Sequence, residues 1–288
     1  ETGMTGANAL KGGLLKGDIL INLDSETEGE LYVGCAGGLD AEATFKYSSV
    51  AVEKGFETYA ITVKGLRGGH SGMEINEGRG NSNKITTRMV LPIVRDLKGE
   101  LISFNGGNMR NAIPREAIAE IAIDPKNVNK VKSLIKKVTA EVKNEYALIE
   151  PNLEIKLEKV APAKKAIPSE VALRALKAIC ACPCNVDRMS LAMPNLVETS
   201  NNLAIVKTGN GRINVITLMR GSTDSAKYAL RDSIRATFEL AGAEIKFKGG
   251  YSGWQPNMNS AILITMKETY QKMFGKEPEV KAIHAGLE

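Results

Sequence analysis

Two changes of texture divide the 288 residues. Up to position 42 the apolar positions come in short blocks. "TGMTGANAL" carries the small and hydroxyl residues of a helix start. "DILINL" is a short, nearly continuous apolar run of the kind a buried strand shows, and "ELYVGCAGG" predicts a strand closed by glycines. From Ala43 a period of two takes over between helical stretches. "TFKYSSVAVEKGFETYAITVKGL" predicts a hairpin around "EKGFE". "NSNKITTRMVLPIVRDL" reads as a helix, and "ELISFNGG" and "EAIAEIAI" as strands. "NKVKSLIKKVTAEVKNEYAL" repeats every 3.6 residues, "NLEIKLEKV" alternates, and "SEVALRALKAI" is helical. "NLAIVKTG" and "RINVITLMRG" are expected to pair across "NGRIN", ahead of the helix "SAKYALRDSIRATFELAG".

This middle stretch predicts antiparallel strands with helices on one face, roughly two β-α-β-β-like units in tandem. After Gly242, "EIKFKGG", the helix "SAILITMKETYQKMFG" and the strand "EVKAI" return to the opening texture. The fold class expected is therefore α/β. One domain, made of residues 1–42 and 243–288, is interrupted by an inserted α+β domain over 43–242. The outer segments alone are too short for a stable α/β domain.

Composition narrows the function classes. No apolar run reaches the ~20 residues of a membrane span, and no basic-then-apolar leader is present, so a cytoplasmic protein with no membrane partner is expected. The net charge of +5 comes from lysines scattered along mixed-sign helices, and aromatics are only 5% of the chain. No nucleic-acid partner is expected from that pattern. The "CACPC" stretch, with Cys180, Cys182 and Cys184, has no second Cys/His cluster to complete a tetrahedral metal set. It reads as a helix end with reduced thiols, and no disulfide framework is expected of these three or of Cys35.

Candidate chemistry sits at strand ends. Asp24 follows "DILINL", His284 follows "EVKAI", and Glu1 precedes a helix start. In open parallel sheets ligands collect beyond the carboxyl ends of strands. Two carboxylates and an imidazole meeting there would suit Zn²⁺, Mn²⁺ or Co²⁺, although an Asp after a strand equally suits a turn. The glycines of "GLRGGHSGMEI" allow His70 a tight turn close to a ligand, where it could stabilise an oxyanion. A surface hairpin tip is the other reading. Asn111 lies between a glycine-rich turn and a proline. Arg220 lies at a strand end before a helix N-terminus, a position from which to grip a carboxylate. A turn Asn and a salt-bridged Arg are the alternatives.

Taken in order, "ETGMTGA", "GDILINLDSETEGELYVGCAGG", "GLRGGHSG", "GRGN", "GGNMRNAIPRE", "VETSNNLAIV", "YSGWQPN" and "AIHAGLE" resemble the PepD-like aminoacyl-histidine dipeptidases. These are co-catalytic zinc metallopeptidases grouped with aminoacylase and carnosinase. The resemblance spans essentially the whole chain. It implies a phosphorylase/hydrolase-like metallopeptidase domain interrupted by a lid, and a dinuclear site of two divalent ions, zinc first, with cobalt and manganese as alternatives. Asp24 resembles the carboxylate ligand of one ion, and Glu1 and His284 the ligands of the other. His70 resembles the lid histidine at the scissile carbonyl. Asn111 and Arg220 resemble the residues holding the substrate backbone and its terminal carboxylate. The implied activity is hydrolysis of dipeptides, Xaa-His and broader, by a homodimer joined through the lid. A deacylase, a tripeptidase, or a non-catalytic chain that dimerises or binds peptide carboxylates remain alternatives. The family pattern also places a His-x-Asp strand, a bridging Asp and a general-base Glu before position 1, and further strands after "HAGLE". The chain is therefore expected to be an internal, inactive piece of such an enzyme.

Overall fold

A computed structural model describes residues 9–14, 16–23 and 27–287. Its strands are β1 (Glu30–Cys35), β2 (Gly37–Lys46), β3 (Val50–Ala51), β4 (Glu57–Lys64), β5 (Gly69–His70), β6 (Glu100–Gly106), β7 (Ala112–Ile113), β8 (Ala117–Ile123), β9 (Glu154–Lys159), β10 (Lys165–Ala166), β11 (Asn185–Met189), β12 (Val197–Gly209), β13 (Arg212–Gly221), β14 (Glu244–Tyr251) and β15 (Glu279–Ile283). The helices are α1 (Ser82–Asp96), α2 (Val128–Glu145), α3 (Ser169–Ala181), α4 (Asp224–Leu240) and α5 (Ala261–Phe274).

The main sheet runs β14-β2-β13-β12-β6-β8-β4-β9, with β11 also paired to β12. Alternation builds it. In β2, Leu39, Ala41, Ala43 and Phe45 enter the core, where Phe45 meets Phe238 of α4 with ring centroids 6.3 Å apart. Gly38 and Asp40 therefore face the other side, away from the helices. Helix α2 buries Val131, Ile135, Val138 and Val142, one stripe at helical spacing. Helix α1 starts where the Asn81 side chain accepts from the backbone N–H groups of Asn83 and Lys84 at 3.1 and 3.2 Å. The β12–β13 hairpin turns on Asn210 and Gly211, whose φ values of 51° and 68° are the pair that a tight two-residue turn requires.

Two local expectations are corrected. The stretch around "EKGFE" is not a hairpin. β2 is flanked by β13 and β14, while β4 pairs with β8 and β9. Both edges of β2 are thus occupied by later strands, and the 47–56 segment crosses to another part of the sheet. Nor does "DILINL" form a strand. Ile19, Leu20, Ile21 and Leu23 are exposed, and this run instead lines one side of an apolar groove with β1 and α5. The expected helix start at "TGMTGANAL" lies almost wholly outside the described residues.

β1 and β15 form a separate parallel pair, with Glu30 opposite Glu279 and Tyr32 opposite Lys281. β2 runs through position 42, and β14, from Glu244, joins the same sheet. The cysteine-rich stretch closes α3. The Lys84 ammonium donates to the carbonyls of Ile179, Cys180 and Cys182 at 2.8, 2.8 and 2.6 Å, covering that helix end. All four thiols are free. No helix among the described residues is long and apolar enough to cross a membrane.

Candidate active site

Register assembles the site on the helix-free face. Ser200 of β12 pairs with Arg220 of β13, Arg220 with Gly38 of β2, and Gly38 with Tyr251 of β14. Directly paired residues point to the same side, so these four form a row across four strands. The next row along holds Asn202, Leu218 and Asp40.

His70 reaches the row on a loop built for it. Gly68 and Gly69, with φ of 65° and 141°, take a backbone path that side chains resist. The His70 N–H donates to Glu74 Oε2 at 2.5 Å. Arg79 pairs with Glu74 Oε1 at 2.5 Å and also donates to the Gly68 carbonyl. The ring itself is oriented by two backbone donors, since Nδ1 accepts from the N–H groups of Gly72 and Met73, both at 3.2 Å. An accepting Nδ1 leaves the ring proton on Nε2. Burial, and then the Arg220 charge, lower the His70 pKa, which favours this neutral form.

His70 Nε2 lies 3.5 Å from Arg220 Nη2. Both are donors, so neither can satisfy the other. Arg220 is only 5% exposed, and its Nε finds no hydrogen-bond partner among the described residues. Burial is the main cause of its lowered pKa. The arrangement sets a buried cation beside an N–H, two donors that cannot satisfy each other.

His284 completes the group. It directly follows β15 and is buried, and its Nε2 shares a hydrogen bond with Ser200 Oγ at 2.7 Å. Its Nδ1 is buried without a hydrogen-bond partner among the described residues. Burial, then Arg220, push its pKa down to about 3, so the ring is neutral near pH 7. The His70 loop presses directly on it. A Cβ at Gly72 would stand 2.1 Å from the His284 carbonyl oxygen, so only glycine fits there. Behind this contact lies a cavity of about 250 Å³ lined by Met73, Asn76, Val197, Lys281 and His284, among others.

Asn111 enters through its backbone, whose carbonyl accepts from the Ser71 N–H at 2.9 Å. Its neighbours are held by Asn202, whose side-chain amide donates to the carbonyls of Arg110 and Ala112 at 3.2 and 2.7 Å. Arg110 in turn contacts Asp40 Oδ1 at 3.3 Å. Burial raises the Asp40 pKa against the pull of Arg110.

His70, Arg220, His284 and the Asn111 backbone thus gather at one place. Glu1 and Asp24 lie outside the described residues. Among the described residues no three His, Cys, Asp or Glu side chains gather as a metal-holding group. His284 offers a neutral imidazole with an orphaned buried nitrogen, the protonation state a divalent ion requires of a histidine ligand. Reading the sequence alone missed Ser200, Asp40, Glu74, Arg79 and Tyr251. For Glu74 and Arg79 the signal was their closeness in sequence to His70. Ser200 and Tyr251 needed the strand register.

The fold is that of a mixed α/β chain with a polar row on one face of its main sheet. Residues 61–150 match the peptidase dimerisation domain, a stretch running from β4 through α2. The chain is 43% identical over all its 288 residues to the cytosol non-specific dipeptidase of Escherichia coli (strain K12). It superposes on the aminoacylhistidine dipeptidase of Vibrio alginolyticus with a TM-score of 0.94 at 41% identity, again over the whole chain. The chain spans 59% of the length of each. It is related to these dipeptidases and shares their mixed α/β fold.

Proposed function

We propose that this chain contributes the substrate-holding part of a metal-dependent dipeptidase. The observation that carries this reading is the buried Arg220, its Nε without a partner among the described residues, set 3.5 Å from the half-buried donor His70 Nε2–H. A peptide supplies what is missing. Its terminal carboxylate would accept from Arg220, and His70 Nε2–H would donate to the oxygen that develops charge as the peptide carbonyl is attacked. The loop carrying Asn111 would line the substrate backbone. A clamp on the carboxylate restricts cleavage to a bond a fixed distance from a free C-terminus.

Of the implied metal ligands, His284 would hold one ion together with Glu1, and Asp24 would hold a second. Zinc is the first choice, with cobalt or manganese as alternatives. Bound divalent ions supply Lewis acidity and a water of lowered pKa. The neutral state of His284 suits that role. We read the segments 1–42 and 243–288 as belonging to the catalytic body, and 43–242 as the lid. The lid would join two copies, a reading supported by the dimerisation-domain match. A cytoplasmic location follows from the cytosol dipeptidase similarity.

The test uses the full-length protein, stripped of metal and then reconstituted, on a dipeptide ending in histidine. Turnover should depend on the metal, and equal rates in both states would exclude a metal role. Arg220→Ala should impair cleavage of the free acid far more than that of its C-terminal amide. Equal impairment would remove the clamp.

A further inference from the structure

Across β2 from Arg220 stands a tyrosine whose motif, "YSGWQPN", has no role in the reading above. Tyr251 pairs with Gly38, and Gly38 with Arg220. A Cβ at Gly38 would stand 2.7–2.9 Å from Cε1, Cζ and the hydroxyl of Tyr251, so the ring lies across β2 where only glycine leaves room. Gly286, two residues after His284, flanks the ring's other side. A Cβ there would be 3.0 Å from the hydroxyl and 3.2 Å from Cε2. Held between two glycines, the phenol lies over Gly38, the residue that separates it from Arg220 in the row.

The backbone is fixed as well. The Tyr251 carbonyl accepts from Lys227 Nζ at 2.6 Å, and that ammonium, 1% exposed, also pairs with Asp224 Oδ1 at 2.8 Å. Asp224 Oδ1 in turn accepts from the Gly253 N–H at 3.3 Å. A guanidinium has no acceptor. Toward it the phenol oxygen can only accept, and its own hydrogen is left to donate elsewhere.

We propose that Tyr251 is a carboxylate-binding residue: its hydroxyl donates to the substrate's terminal carboxylate while its oxygen orients Arg220. The cradle then presents three donors, from Arg220, His70 and Tyr251, around one acceptor site. This rests on the clamp reading of Arg220.

The test is calorimetric titration of the full-length protein, held in EDTA so that peptide is not cleaved. The probes are alanyl-histidine and its C-terminal amide. Wild type should bind the acid more tightly than the amide. Tyr251→Phe should weaken the acid about tenfold, as expected for one hydrogen bond to a charged acceptor, and leave the amide unchanged. Gly38→Ala, which displaces the ring, should do the same while circular dichroism shows an intact fold. If wild type discriminates and Tyr251→Phe binds the acid equally well, the tyrosine proposal fails and the clamp stands. If the variant loses both ligands equally, Tyr251 acts only structurally and the proposal fails too. If wild type binds acid and amide alike, or neither, the clamp itself fails and takes the proposal with it.

Discussion

Replacing Glu150 by alanine should destabilise the fold by about 2–4 kcal/mol and loosen the loop that carries His70. Glu150 follows α2 and is 4% exposed. One carboxylate oxygen accepts from the Gly80 N–H and the other from the Arg67 N–H, both at 2.8 Å. These two amides bracket the segment holding His70 and Gly72. Gly80 is buried, so truncation strands its N–H without water, which costs about 1–3 kcal/mol. Arg67 is exposed; water can replace the carboxylate there, and the loss is about 1 kcal/mol. The total is tested by urea denaturation, with amide hydrogen exchange at Arg67, His70 and Gly80 as the local readout. Glu150→Gln keeps one acceptor and should fall between wild type and alanine. An alanine variant within about 0.5 kcal/mol of wild type, the range of ordinary surface changes, would refute the staple. So would unchanged exchange at Gly80.

Three further outcomes follow from the same geometry. At pH 7, ¹⁵N spectra of the imidazoles should show the His70 proton on Nε2, and its titration midpoint should lie below the ordinary 6.5. Because the folded-state pKa is depressed, the contribution of this group to stability declines as pH falls below about 6.5; a midpoint at or above that value would contradict the burial argument. Arg220→Met should leave the melting temperature unchanged or raise it, since it removes a buried cation, while erasing discrimination between a peptide acid and its amide; a fall of several degrees would show that Arg220 holds the fold together. Alkylation at pH 8 followed by mass spectrometry should modify the exposed Cys180 first and spare Cys182 in the native state, whose buried thiol is pushed up to about 12; equal labelling of the two would argue against that burial.

The elements that could be read from sequence are those whose signal is local. "NKVKSLIKKVTAEVKNE" shows its buried stripe in its own spacing, and "NG" at 210–211 fixes the β12–β13 turn by its backbone preference alone. What could not be read is strand order. Only the two-residue β3 separates β2 from β4 in sequence, yet β13, β12, β6 and β8 lie between them in the sheet. Periodicity says that each is a strand and nothing about its neighbours. The site shows the same division. His70 and Arg220 stand out because glycines and a strand end mark them. Ser200 and Tyr251 look ordinary until three strand pairings, joining residues far apart in the chain, bring them into one row.

That row and the core are two products of one register. In β2 the odd positions from Leu39 to Phe45 hold the helices, and the even positions Gly38 and Asp40 belong to the site. A slip of one residue would exchange the faces. Asp40 would be driven under α4 and Leu39 would face Tyr251, in the place where even the Cβ of an alanine has no room. Each face therefore penalises the wrong register of the other. The hydrophobic face supplies most of the energy, because it buries the large side chains. The polar face supplies discrimination, because a misplaced charge or a blocked glycine there is costly. A carboxylate cradle set directly on sheet register inherits the rigidity of the core behind it, which is what a clamp must have to measure the distance from a peptide's end to its scissile bond.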